Sequence, residues 1–517
     1  MALSAGARQT AATASGNIHR AGAGIGFGHP RPPGQDCPRG LGRTAAMASP
    51  PISNSLILWP TFLVAFIVVM LMSAMNLADP MIRHDDFPAL FADAPMFWNK
   101  TLHEGRWLNY VWHLRPIVTP PWVNFILYQG LWALCVASIA VVASGRKGAD
   151  RFTVLMALML MVSPSAMLIS PWFNTLIPGL AVVALFGLLA CKVSNRTLRL
   201  LLPVFVIVSF MAYTTYPLLL LAICIARTKD RSLRDLAGLL LLFCASFAAA
   251  VVTVYALNWQ VHGVFGVPMA EWREATSARG LAGMVENLPK LRESFQIIFH
   301  RNGFGFLPLM LFFPALAVVS FAILIKRRPM EALYILAGLS VGIALVTVQV
   351  LKIGVIVPPR AFVFMWVFAV LAIVRAVGLL SPQSGLPSRL GRNAIMLIIG
   401  VYFIQIFLFY GQFRDWQAET KAIAQDIAPL DGAIFVYGNP MNIASGKKAS
   451  IQAREAISLR LSYFTGREVI NCDLTPGDCP TRPELGDTDQ GEIHLRATDA
   501  GQFVIFTPLG EVTSDRD

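Results

Sequence analysis

Charge is scarce in this 517-residue chain: Asp, Glu, Lys and Arg together make up 14% of it, while 55% is hydrophobic. Soluble domains carry close to a quarter of charged residues, so a soluble globular protein of this size is excluded. A mean hydropathy of +0.59 instead puts the chain in a membrane. Cysteine is sparse, at 7 residues, which excludes a disulfide-dense secreted scaffold. Also missing are a Gly-rich phosphate-cradling loop, a nucleotide-sugar fold pattern and any nucleic-acid-binding module. The net charge of +12 is therefore not a nucleic-acid footprint, and no nucleic-acid partner is expected. In a polytopic protein Lys and Arg gather in cytoplasmic loops and set the topology.

What the chain does have is a succession of apolar runs. Residues 1–50, rich in Gly, Ala, Pro and Arg, hold no apolar run of ten and read as a disordered leader, with Met47 the expected true start. Beyond them, stretches close to the ~20 residues that span ~30 Å of hydrocarbon occupy 56–78, 122–143, 152–170, 172–191, 236–257, 306–325, 331–350, 361–379 and 394–411. The stretch 198–226 is broken by Tyr213-Thr214-Thr215-Tyr216-Pro217. Short basic segments at 146–151, 192–199, 227–234, 326–328 and 389–392 are expected in the cytoplasm. Two of them flank 198–226, so that stretch is expected to enter and return as two short helices, its tip within the membrane depth and buried in protein. The expected fold is an all-α polytopic membrane protein of about eleven transmembrane helices. Its N-terminus is cytoplasmic, in a bacterial inner membrane.

That parity puts 79–121, 258–305 and everything after 411 outside. Trp98, Trp107, Trp112 and Trp122 in the first loop suit helices lying in the interface among membrane lipids. A membrane domain at 51–411 then gives way to a soluble periplasmic α/β domain at 412–517, with helices expected at 414–428 and 450–464 and strands at 433–437, 492–496 and 503–507. Cys472 and Cys479 flank a turn-rich stretch in that domain and are expected to form a disulfide in an oxidising compartment. Metal binding there is the lesser reading, because no nearby Cys or His pair completes four ligands.

The strongest local signal is Arg83-His84-Asp85-Asp86, just after the first apolar run. Neighbouring side chains diverge by about 100° on a helix, so one acid is expected to face a reaction site while the other caps a helix or fixes the loop. The blander reading makes both a solvated turn. His103-Glu104-Gly105-Arg106-Trp107-Leu108 follows in the same loop. Paired acids after the first membrane helix, then Gly-Arg-Trp about twenty residues on, resemble the GT-C superfamily of integral membrane glycosyltransferases, and within it the O-antigen serotype-converting glucosyltransferases. The resemblance covers the first outer loop well and the overall layout loosely.

The resemblance implies transfer of a hexose, glucose in that family, from a lipid-linked donor on polyprenyl phosphate to a cell-surface glycan acceptor. It implies inversion at the anomeric carbon, with Asp85, the first acid, as general base and Asp86 beside it as the second catalytic candidate. His84, Glu104 and Trp107 would position substrate. A lipid-phosphate leaving group needs cations at the outer boundary. Lys352 and Arg360, outside against the positive-inside trend, are the first candidates, with Arg106 and Arg301 behind them. No cofactor is certain; Mg²⁺ or Mn²⁺ on Asp85 and Asp86 is the open alternative. Two other readings stay open: a polysaccharide polymerase or ligase using Arg273, Arg279, Arg292 and Arg301, and a lipid-linked sugar transporter or flippase.

Overall fold

The computed structural model describes residues 55–91, 94–144, 151–381, 385–485 and 492–507. The expected leader at 1–50 and most of the basic segment at 146–151 lie outside these residues.

The described chain is mostly helical. The first apolar run forms α1 (Ser55–Met72), followed by a 3-10 turn at Ala74–Asn76 and a second at His84–Leu90 that carries both acids. Two helices cross the first expected outer loop, α2 (Ala94–Glu104) and α3 (Trp107–His113). Then come α4 (Pro121–Ser144), α5 (Arg151–Met161), α6 (Pro164–Ile169), α7 (Phe173–Lys192), α8 (Asn195–Phe210), α9 (Tyr216–Arg227) and α10 (Leu233–His262). The second loop holds α11 (Leu281–Glu286) and α12 (Leu288–Asn302), and α13 (Leu307–Arg327), α14 (Pro329–Ile353), α15 (Val363–Leu380) and α16 (Leu386–Gly411) complete the apolar part.

Among the described residues, seven helical stretches are long and apolar enough to cross a membrane, and α1, α5 and α9 are shorter apolar helices. Burial sorts them. The cores of α4, α7 and α15 are mostly enclosed by protein, whereas α10, α13, α14 and α16 keep large apolar side chains such as Leu241, Val318, Val348 and Ile404 on the outside. An exposed apolar face of that size is stable only against lipid. Small residues bring helices close: a Cβ at Gly342 of α14 would overlap the ring of Phe364 on α15, and one at Gly338 would meet Phe368 at 2.6 Å.

Two expectations are corrected. The run 152–170 is not one continuous span. Pro164 has no N–H to continue α5, and Ser163 caps the new helix by accepting from the Ala166 amide at 3.3 Å. The break at 211–215 does separate two short helices, but its tip is not fully enclosed, since Thr214 is exposed. The turn is held to α3, with the Leu108 amide donating to the Met211 carbonyl (3.3 Å) and the Asn109 side chain to the Ala212 carbonyl (3.0 Å).

The C-terminal part is α/β, as its alternating pattern predicts. It contains α17 (Arg414–Ile427), β1 (Ile434–Tyr437), α18 (Ala444–Lys448), α19 (Glu455–Thr465), β2 (Val469–Asn471), β3 (Ile493–Thr498) and β4 (Gly501–Phe506). The sheet order is β2-β1-β4-β3, with β1 parallel to both neighbours and β3 antiparallel to β4. Strand β2 is too short to show in the sequence pattern. Cys472 and Cys479 are joined by a disulfide. This part docks on the segment following α1: the buried Arg460 pairs with Asp79, and Gln417 donates to Asn76 Oδ1 at 3.0 Å and to the Asp79 carbonyl.

Candidate active site

The two acids diverge as a 3-10 turn requires. Asp86 is fully buried and points at the start of α7. Its Oδ1 accepts from the Thr175 amide (2.7 Å), and its Oδ2 accepts from the amide (3.0 Å) and side chain (2.9 Å) of Asn174. The first amides of a helix have no partner within it, so a carboxylate from elsewhere caps them and meets the positive end of the helix dipole. Burial pushes the Asp86 carboxyl up, to about 7, against these N–H donors that favour its anion.

Asp85 faces the other way, into a cationic and aromatic cluster, and its side chain is 24% exposed. Its Oδ2 lies 2.7 Å from the Lys100 ammonium, and its Oδ1 accepts from the Trp172 indole N–H at 2.5 Å. Burial works to raise its pKa, but Lys100, with His84 and Arg106, holds it well below the usual carboxylate range. It is therefore an anion across the physiological range.

Trp172 organises the cluster. It is buried in the short 3-10 turn between α6 and α7, and two guanidinia lie over its ring, Arg360 at 4.0 Å and Arg83 at 5.6 Å. Arg83 donates to the Ser450 carbonyl of the C-terminal domain at 2.6 Å. Burial and the nearby Arg360 pull its pKa down to about 10. Neither guanidinium forms an ion pair with a described carboxylate. Tyr213, on the α8–α9 turn, presents its ring to Arg106 at 5.9 Å. Four elements distant in sequence thus meet at one end of the helical bundle.

The Gly-Arg-Trp segment is the corner between α2 and α3. Gly105 has φ +68°, and a Cβ there would come within 2.7 Å of Val254, so glycine is required on both counts. Arg106 pairs with Glu104 at 2.6 Å, and Arg273 pairs with the same carboxylate at 3.0 Å. Burial opposes the Glu104 charge, yet Arg106, Lys100 and Arg273 keep its pKa below normal. Trp107 donates to Asn258 Oδ1 at 2.9 Å, which anchors the corner to the end of α10.

The expected site residues therefore divide. Asp85, His84, Arg106 and Arg360 come together, and Glu104 stands behind Arg106. Asp86 and Trp107 hold the scaffold. Lys352 is not brought into the group: it is exposed and donates to the Ala278 carbonyl at 3.2 Å within the second loop. A position outside against the positive-inside trend did not distinguish it from Arg360, which a Pro-Pro step fixes at the entry to α15. Arg301 is exposed on α12. Sequence reasoning missed Lys100, Trp172, Arg83 and Tyr213. Arg83 adjoins the acid pair, and Lys100 sits in Asn99-Lys100-Thr101, which reads as a chance glycosylation match. Nothing local singles out Trp172.

A divalent cation does not fit the acid pair. Both oxygens of Asp86 are taken by N–H donors, and those of Asp85 by an ammonium and an indole, so the pair offers no converging set of oxygens. Among the described residues no group of three His, Cys, Asp or Glu could hold a metal.

No family model matches the chain, and comparison with curated proteins finds no match.

Proposed function

We propose that this chain is a membrane glycosyltransferase that moves a hexose, glucose by its resemblance, from a polyprenyl-phosphate carrier to a glycan acceptor, with inversion. The eleven-segment arrangement, with the Asp85 end and the C-terminal domain on the periplasmic side of a bacterial inner membrane, belongs to the same proposal. The observation that carries it is the Asp85 carboxylate, paired with Lys100 at 2.7 Å and bonded to the Trp172 indole, in one cluster with two guanidinia over the Trp172 ring that form no ion pair with a carboxylate among the described residues.

In the proposed reaction the acceptor hydroxyl donates a hydrogen bond to Asp85 and attacks the anomeric carbon. The bond from that carbon to the phosphate oxygen breaks on the opposite face, and the electron pair leaves with the lipid phosphate. Arg360 and Arg83 receive the developing phosphate charge. Asp85 takes the proton and later returns it to solvent. Its depressed pKa makes it a weak base at rest, so Lys100 has a second part. As the phosphate charge grows, the ammonium turns toward it, and the carboxylate gains basicity when the proton arrives. Trp172 keeps Asp85 and both guanidinia in register.

The test is transfer of label from a radiolabelled polyprenyl-phosphate hexose to glycan in membranes bearing wild type, Asp85→Asn or Arg360→Ala. Wild type should transfer. Asp85→Asn should lose at least ~100-fold, the range of general base catalysis. Full transfer by Asp85→Asn would remove the base assignment, and no transfer by wild type from any such donor would remove the function.

A further inference from the structure

A second constellation lies at the far end of α15 from Asp85. Arg360 and Arg375 stand near its two ends, roughly 20 Å apart at ~1.5 Å per residue. There α5, α14, α15, the α9–α10 loop and the α13–α14 junction line an open pocket of about 600 Å³. Its basic lining is Lys229, Arg231, Arg327, Arg328 and Arg375, and its single carboxylate among the described residues is Glu331. In the sequence these cations look like ordinary topological charges scattered over three segments. The fold gathers them.

The pocket is built rather than accidental. Glu331 Oε1 accepts from Arg375 Nε at 2.5 Å and lies 3.4 Å from Arg231 Nη2, so one anion aims two guanidinia. Arg375 also donates to the Ala143 carbonyl at 2.9 Å. The loop bearing Arg231 is fixed by Tyr334, whose hydroxyl donates to Asp235 at 2.7 Å and faces the Ser232 carbonyl at 3.0 Å. Arg231 Nε is buried and meets no hydrogen-bond partner among the described residues. Burial, and the like charges of Arg375 and Arg328, pull the Arg231 pKa down against Glu331, as expected where positive charge is under-compensated.

An anion completes such a site, and guanidinia favour phosphate oxygens. The walls say which kind. Phe152, Met156 and Val374 line the same space at the ends of membrane helices, so the site sets apolar surface beside its cations, as a ligand with both an anionic group and an apolar portion requires. We propose that this pocket binds the phosphate of an anionic phospholipid, held by Arg231, Arg328 and Arg375 at the membrane face opposite Asp85. A free phosphate or diphosphate shares the headgroup chemistry without the apolar portion.

The experiment is native mass spectrometry of the purified full chain in detergent, titrated with phosphatidylglycerol, phosphatidylcholine or inorganic diphosphate. Wild type should retain phosphatidylglycerol and not phosphatidylcholine. A basic side chain near an anionic headgroup is worth about fivefold in affinity, so Arg231→Gln with Arg328→Gln should weaken retention about 25-fold. If that pair fails to fold, Arg328→Glu, at an exposed position, removes and reverses one charge and should give a loss of similar size. Equal retention of the two lipids, or wild-type retention by Arg328→Glu, would overturn the proposal. Binding of diphosphate with no preference for phosphatidylglycerol would overturn the lipid as ligand and leave a soluble phosphate in its place.

Discussion

Replacing each acid of the pair by its amide separates two roles that the sequence cannot tell apart. In Asp86→Asn the best orientation keeps the amide oxygen where Oδ2 accepts both donors of Asn174, which turns the new NH₂ toward the Thr175 amide now bonded at 2.7 Å. Two donors then face each other in a fully buried position. At ~1–3 kcal/mol for each buried unsatisfied group, the expected loss is about 3 kcal/mol, before the smaller loss of charge at a helix N-terminus. Asp85→Asn leaves the Lys100 ammonium partly solvated and should cost about 1 kcal/mol or less. Thermal unfolding can be followed by reaction of a thiol dye with the buried Cys135, Cys191 and Cys224, after subtracting the early reaction of the exposed Cys244. Asp86→Asn should unfold several degrees below wild type and, while folded, retain substantial transfer. Asp85→Asn should unfold close to wild type and be inactive. An Asp86→Asn protein as stable as wild type but without activity would refute this division, because it would put Asp86 in the chemistry.

Three further outcomes follow from the geometry. Lys100 keeps the folded pKa of Asp85 below its unfolded value, so its stabilisation is present above the unfolded pKa and lost as pH falls through the folded one. Activity should therefore show no acid limb from Asp85 down to about pH 5, whereas Lys100→Met should create one, measurable as a pH–rate profile. Trp172→Phe keeps the ring under Arg360 and removes the N–H to Asp85; the rate should fall about tenfold, as for the loss of one hydrogen bond to a charged group, with little change in unfolding temperature. Arg460→Ala breaks the pair with Asp79 that docks the C-terminal domain. With Asp79 partly exposed, the cost should be about 2 kcal/mol, seen as faster proteolysis between α16 and β1.

The acid turn shows why part of the site was legible. Two adjacent carboxylates cannot share a target on regular backbone, so different surroundings for the two acids are already implied by their adjacency. The turn sends Asp86 to the helix amides of Asn174 and Thr175 and Asp85 to Lys100 and Trp172. Gly105 was visible as part of a motif, but its reason, a left-handed corner pressed against Val254, needed the neighbouring helix. Lys352 and Arg360 have the same charge and the same expected side, and sequence offers nothing to rank them. Only the position of Trp172, contributed from between α6 and α7, selects Arg360.

The sequence by itself determined that this is a mostly helical membrane protein, because hydrophobic run length and charge scarcity act locally and add along the chain. It determined the α/β character of the C-terminal part for the same reason, since strand and helix periodicities are local. Tertiary structure alone decided which cations reach Asp85 and which gather around Glu331. Those groups come from segments up to hundreds of residues apart, and charges become a site only when packing fixes their distances, burial and partners.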